Sequence, residues 1–140
     1  MKLLKQQVHA NEVYKNGYTG KNVRIAVLDT GVFLHRDLRN RVFGFKDFVD
    51  GRGYCYDDNG HGTHVTGIIC SNGTIKGIAP DAQVAAIKVL DREGNGKTNR
   101  VLQALEWIQE YKKKICNTHF KFFGGFSAGS RERRTETDCR

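Results

Sequence analysis

Two stretches of the chain are apolar almost without a break. Val23 to Leu28 is interrupted only by Arg24, and Gln83 to Leu90, after its opening glutamine, only by Lys88. A strand with one wet face alternates apolar and polar residues, so runs that do not alternate predict strands buried on both faces of a parallel sheet. Val42 to Val49 is looser, with Val42, Phe43, Phe45 and Phe48 apolar, and predicts an edge strand or hairpin. Helical spacing appears three times. Val8, Val13 and Tyr14 mark a short helix over 9–16 that ends at Asn16-Gly17. From His61, the residues Val65, Ile68 and Ile69 trace the apolar face of a second helix, with Cys70 buried on it and with Gly62 and Gly67 letting it pack close to the sheet. From about Thr98 to Lys113, Val101, Leu105, Ile108 and the stem of Lys112 share a stripe that Leu102 and Trp107 widen, and Lys112-Lys113-Lys114 complements the helix dipole. Strand, helix, strand, helix means an α/β domain with parallel strands.

Asp29 falls at the carboxyl end of the first buried strand, where open α/β sheets form their crevices. Alone, Asp29-Thr30-Gly31 would be read as the opening of a turn. About thirty residues on, the polar run Asp57-Asp58-Asn59-Gly60 leads straight into His61-Gly62-Thr63-His64 and sets one imidazole at a helix start. Small neighbours leave that ring accessible, which suits a general base.

Ala26-Val27-Leu28-Asp29-Thr30-Gly31, then His61-Gly62-Thr63-His64-Val65-Thr66-Gly67, then Gly77-Ile78-Ala79-Pro80 resemble in order and separation the motifs of the subtilisin-like serine proteases. The resemblance covers roughly residues 9 to 112. It implies the N-terminal half of a subtilisin-like, three-layer α/β domain with a parallel sheet, here residues 1–115. It also implies a serine-type endopeptidase acting on a peptide or protein substrate, in which Asp29 orients the histidine, His61 is the general base and His64 is structural. Gly94-Asn95-Gly96 matches the segment on which these enzymes lay an extended substrate as an added strand, and Asn59 and Gly60 would line the cleft beside the base. His35-Arg36-Asp37-Leu38 resembles the family's His-Pro-Asp-Leu element, with arginine for proline. Calcium is common in the family, with Asp37 at one ligand position, but the loop from Cys70 to Gly77 is short for six or more oxygen ligands, so no cofactor is expected.

After the long helix the pattern breaks. Ile115-Cys116-Asn117-Thr118-His119-Phe120 departs from the family's Asn-x-Ser-x-Gly strand, and no Gly-Thr-Ser-x-x-x-Pro nucleophile motif follows. Residues 116–140 are expected to be a divergent tail, disordered or out of frame. Without a nucleophile the chain alone is expected to be inactive, a loss of about 10⁶ in turnover. Gly125-Phe126-Ser127-Ala128-Gly129 has the letters of a nucleophile elbow, but the charged residues after it cannot form the apolar helix an elbow requires.

Composition excludes more than it selects. At 140 residues, 39% hydrophobic and 10% aromatic, the chain suits a globular core. Its net charge of +8 would attract acidic partners, yet much of the excess lies in Lys112–Lys114 and in Arg131, Arg133, Arg134 and Arg140, with no aromatic-interleaved motif, so no nucleic acid is expected. Nothing is long and apolar enough for a signal peptide or a membrane span, which gives an expectation of a cytoplasmic chain with Cys55, Cys70, Cys116 and Cys139 reduced. Cys55, His61, His64 and Cys70 match no zinc spacing, so no metal site is assigned. Oligomeric state is left open. Two other functions fit parts of the pattern. One is a non-catalytic peptide-binding fragment. The other is a nucleotide-binding module, since Gly94-Asn95-Gly96-Lys97-Thr98 sits between a strand and a helix, although Asp91 stands where a P-loop needs its first glycine.

Overall fold

The two apolar runs lie side by side. In the computed structural model, which describes residues 1–114 and 120–124, they form β1 (Arg24–Asp29) and β3 (Gln83–Lys88), paired parallel with Arg24 opposite Gln83 and Asp29 opposite Lys88. The looser run is β2 (Val42–Asp47), an edge strand parallel to β3 with a register shift between Val42 and Gly44. On the other side of β1 lies β4 (Phe120–Gly124), which completes an all-parallel sheet of order β2-β3-β1-β4. This last strand falls within the segment expected to be a disordered tail, and for those five residues the expectation is corrected. Phe120-Lys121-Phe122-Phe123 has the aromatic content that strands favour. The rest of 116–140, including Cys116, Ser127 and Cys139, lies outside the described residues.

The helices are α1 (Lys2–Gln7), α2 (Ala10–Lys15), α3 (His61–Cys70) and α4 (Thr98–Lys114). Successive residues of β1 point to opposite faces, and each face has its own core. Ala26 and Leu28 pack with Ile87, Val89 and Leu90 under Ala104 and Ile108 of α4. Val27 packs with Val84, Ala86, Val32 and Leu38 against Cys70 of α3. The chain is therefore helix on sheet on helix, three layers, as an α/β fold with a two-faced parallel sheet requires. Tyr14 of α2 ties the amino-terminal helices to this body by donating its hydroxyl to the Ile78 carbonyl at 2.5 Å.

The helix α3 is turned differently from what its apolar periodicity predicts, whereas α4 keeps most of its expected stripe and loses only Leu102 from it. In α3 the buried line is Gly62, Thr66 and Cys70, four residues apart, while Val65, Ile68 and Ile69 are half-buried beside it. In α4 the buried line is Ala104 and Ile108, with Val101, Leu105 and Trp107 packed alongside and Leu102 52% exposed. Small residues such as Gly62 and Ala104 sit where helix and sheet approach most closely, with larger side chains beside them. Gly67, expected to permit close packing, faces open space, so that role belongs to Gly62 alone.

Thr66 carries a cost in this arrangement. It is fully buried, and its hydroxyl has no hydrogen-bond partner among the described residues. Thr66→Val keeps the shape and removes the unpaired group, so it is expected to stabilise the chain by about 1 kcal/mol. A urea melt checks this: the midpoint should rise with the slope unchanged.

Candidate active site

The carboxyl end of β1 delivers Asp29 into the interior, 1% exposed. The chain then turns sharply through Thr30 and Gly31, whose φ of 119° is open to glycine and strained for any other residue. Gly62, in the first turn of α3, lies against this bend so closely that any side chain there would overlap the Gly31 carbonyl. That contact brings the start of α3 over the end of β1. Asp57 fixes it from the other side. Its Oδ1 accepts from the Thr30 hydroxyl (2.8 Å) and the Gly60 amide (2.8 Å), and its Oδ2 accepts from the Thr63 amide (2.8 Å) and hydroxyl (2.5 Å). Burial opposes ionisation of Asp57, but the Thr63 hydroxyl, the Gly60 and Thr63 amides and the Thr30 hydroxyl outweigh it and hold the carboxyl below its ordinary value. Thr30 links the two halves, since its hydroxyl also accepts from the Gly62 amide at 2.9 Å.

Within this frame His61 Nδ1 stands 2.8 Å from Asp29 Oδ1 and 3.0 Å from Oδ2. Among the described residues, the only other hydrogen bond to the Asp29 carboxylate comes from the Thr30 amide, at 2.7 Å. The carboxylate is sealed in, whereas the His61 side chain is 53% exposed. Its Nε2 has no partner among the described residues. Such a pair fixes a tautomer, with the proton on Nδ1 facing the carboxylate and a lone pair on Nε2 facing out. His64 is exposed one turn on and makes no hydrogen bond to Asp29.

The remaining expected site residues gather around the same helix start. Asn59 accepts from the His61 amide through Oδ1 (3.2 Å) and donates from Nδ2 to the Arg92 carbonyl (2.8 Å), tying the loop after β3 to His61. Gly60 precedes α3 with φ 97°. Gly94, Asn95 and Gly96 form a tight turn in which Asp91 Oδ1 accepts from the amides of Glu93 (3.1 Å) and Asn95 (2.8 Å), and Leu90 and Gly96 make an antiparallel bridge. These amides turn onto a carboxylate inside the loop, away from any phosphate, which removes the basis of the nucleotide-binding alternative. Sequence reasoning missed Asp57 and Thr30 as parts of the site. The signal was present in Asp57, which stands four residues before a helix-starting histidine, where a carboxylate can accept from first-turn amides.

Residues 20–120 match the subtilase family. The chain belongs to the subtilase family. It is 42% identical over 112 residues to the serine protease AprX of Bacillus subtilis (strain 168), covering 75% of this chain and 25% of that protein. It is 44% identical over 114 residues to subtilisin Savinase of Lederbergia lenta, covering 79% of this chain and 42% of that protein. Among solved structures Sphericase superposes with a TM-score of 0.73 at 34% identity, over 81% of this chain and 40% of that one. The chain thus spans less than half of the length of each of these relatives, and it shares the α/β fold of Sphericase.

The calcium ligand position that the subtilase resemblance implies is differently furnished here. Asp37 Oδ2 accepts from the Ile75 amide at 3.2 Å, and the backbone of Gly73 lies directly against its Oδ1. Arg36 Nε is 3.6 Å from Asp37 Oδ1, and the same guanidinium donates to the Thr74 hydroxyl at 2.9 Å. A guanidinium and a backbone amide already face the carboxylate, and the backbone of Gly73 closes in on its other oxygen, so these residues do not fit a calcium ion. Of the cysteines, Cys70 is sealed in the core, where burial pushes its thiol up to about 12, so no thiolate is available at neutral pH.

Because the Asp57 carboxyl titrates below its ordinary 3.8, its stabilisation is complete above about pH 4 and is lost as pH falls through the folded value. Asp57→Asn is therefore expected to flatten the acid limb of the stability curve and to cost about 1–3 kcal/mol at pH 7. Urea midpoints between about pH 2 and 7 check this. Asp47 also titrates low, its burial outweighed by hydrogen bonds from the Val49 amide and the Tyr56 hydroxyl, and leaves a residual limb.

Proposed function

We propose that this chain supplies the aspartate and histidine of a serine-type endopeptidase site, with Asp29 as the orienting carboxylate and His61 as the general base. The observation that carries the reading is the Asp29–His61 pair, at 2.8 and 3.0 Å with one partner buried and the other open to solvent. Membership of the subtilase family supports it. Relatives of this chain are named as proteases, and a peptide or protein substrate follows from that chemistry. The base accepts the proton of a serine hydroxyl at Nε2 as the hydroxyl attacks a peptide carbonyl, and returns it to the leaving amine. Asp29 keeps Nδ1 protonated, so that Nε2 is the acceptor, and stabilises the imidazolium that forms. Asn59 and Gly60 border the base, and the turn at Gly94–Gly96 offers backbone for an extended substrate strand.

The serine comes from outside these 140 residues, whose sequence holds no Gly-Thr-Ser-x-x-x-Pro. The chain by itself then binds peptide at most and does not turn it over. No calcium is needed at Asp37, where Arg36 and the Ile75 amide take the place of a metal.

Two measurements test this. The chain alone should show no hydrolysis of casein and no labelling by a fluorophosphonate, whereas residues 1–114 spliced onto the remainder of the Savinase catalytic domain should hydrolyse casein. In that chimaera His61→Ala should abolish turnover, and Asp29→Asn should lower kcat by about 10⁴. Fluorophosphonate labelling of the chain alone, or a chimaera indifferent to Asp29→Asn, would sink the reading. A thermal melt with and without chelator tests the metal statement: the transition should not shift.

A further inference from the structure

Among the described residues Lys88 is the largest fully buried side chain, 0% exposed at the end of an otherwise apolar strand. An ammonium has three donors, and here all three are used. Nζ donates to the Thr30 carbonyl at 2.7 Å, to the Leu90 carbonyl at 2.8 Å and to Asp58 Oδ1 at 2.7 Å. The three acceptors belong to three different segments. Thr30 directly follows Asp29 at the end of β1, Leu90 leads from β3 into the Asp91–Gly96 loop, and Asp58 lies three residues before His61. The ring of Tyr56 stands 5.1 Å from the ammonium and adds a cation–π contact.

We propose that Lys88 and Asp58 form a clasp that positions the Asp29–His61 pair. The proposal rests on the reading of that pair as carboxylate and base. A buried ion pair is poor material for stability, because desolvating both charges offsets most of their attraction and an apolar pair often does as well. What a charge with three fixed donors does supply is registration of three segments on one point. Lys88 is also the register partner of Asp29 across β1 and β3, so both side chains leave the sheet on the α3 side. An ammonium there would compete with His61 for the Asp29 carboxylate. Asp58 holds it on a different oxygen, and among the described residues the Asp29 carboxylate keeps His61 and the Thr30 amide as its donors. Lys88 and Asp58 touch neither substrate nor the reacting nitrogen and act through the pair they align.

The test uses the whole chain and the exchange rate of the His61 Nδ1 proton, which resonates far downfield in proton NMR when it is held by a carboxylate. Asp58 is 34% exposed at its side chain, and the amide oxygen of an asparagine can still accept from the ammonium, so Asp58→Asn is expected to fold, which its thermal melt checks. It should speed exchange of that proton by about tenfold or more. Asp58→Glu, which restores the charge, should recover part of the protection, and Lys88→Met should abolish the signal. Ile108→Val, in the core on the other face of the sheet, should lower the melting temperature without changing the exchange rate. Asp58→Asn within about twofold of the parent, or an equal acceleration in Ile108→Val, would overturn the clasp whether or not Lys88→Met folds. Asp29→Asn separates the two ideas. It should erase the signal, and if it does not, the Asp29–His61 reading falls. The clasp is then decided by the Gly60 and Gly62 amides, whose exchange must rise by the same factor in Asp58→Asn for it to stand.

Discussion

A carboxylate that has lost nearly all its water must be given donors, and Asp29 is given two groups, the Thr30 amide and the His61 ring. Most of the local architecture follows from that requirement. The ring reaches Asp29 only because α3 begins almost on top of the Thr30–Gly31 bend, and α3 begins there only because Gly62 has no side chain to hold it off. A single methyl group at 62 would push the His61 ring away from the Asp29 carboxylate without changing either residue. The strand matters equally, since a parallel strand buried on both faces ends abruptly in the interior and presents its last side chain to a crevice.

Much of this was legible in the sequence. Two non-alternating apolar runs gave β1 and β3 nearly to the residue, and the histidine motif gave the start of α3. The pairing of Asp29 with His61 and the family followed from the order of motifs. What periodicity does not carry is the rotation of a helix about its own axis. Apolar spacing in α3 points to Val65, Ile68 and Ile69, but the closest approach is set by the contact at Gly62, and the line that follows from it four residues at a time is Gly62, Thr66 and Cys70. In α4 Ala104 is fully buried and Leu102 is 52% exposed, the reverse of what their hydropathy suggests. Residues small enough to sit at the closest point look unremarkable on a hydropathy scale. The strand β4 was passed over because its neighbours break the family pattern, although its own aromatic residues favour a strand.

Charged residues were the least legible. Asp57 and Asp58 are adjacent, equally polar and part of one turn-rich loop, and the sequence treats them alike. The structure divides them. Asp57 turns toward the amides at the head of α3, where the exposed ends of N–H groups favour a negative charge. Asp58 turns the other way, to an ammonium that entered the interior on a strand. One carboxylate places the helix and the other anchors the strand ends, and the chain between them and His61 is only three or four residues long. Little freedom is left in so short a span once both ends are held.

The same economy explains why a lysine interrupts the most buried strand. An apolar residue at 88 would pack well, but the carbonyls of Thr30 and Leu90 leave their strands at this point and require donors that neighbouring strands no longer supply. A long side chain with three donors meets both and still has one left for the loop ahead of His61. Arginine would bring a planar fork that cannot converge three acceptors on one atom, and methionine would bring no donor at all. In a continuous apolar run, then, the single lysine marks the place where the sheet ends and the site begins.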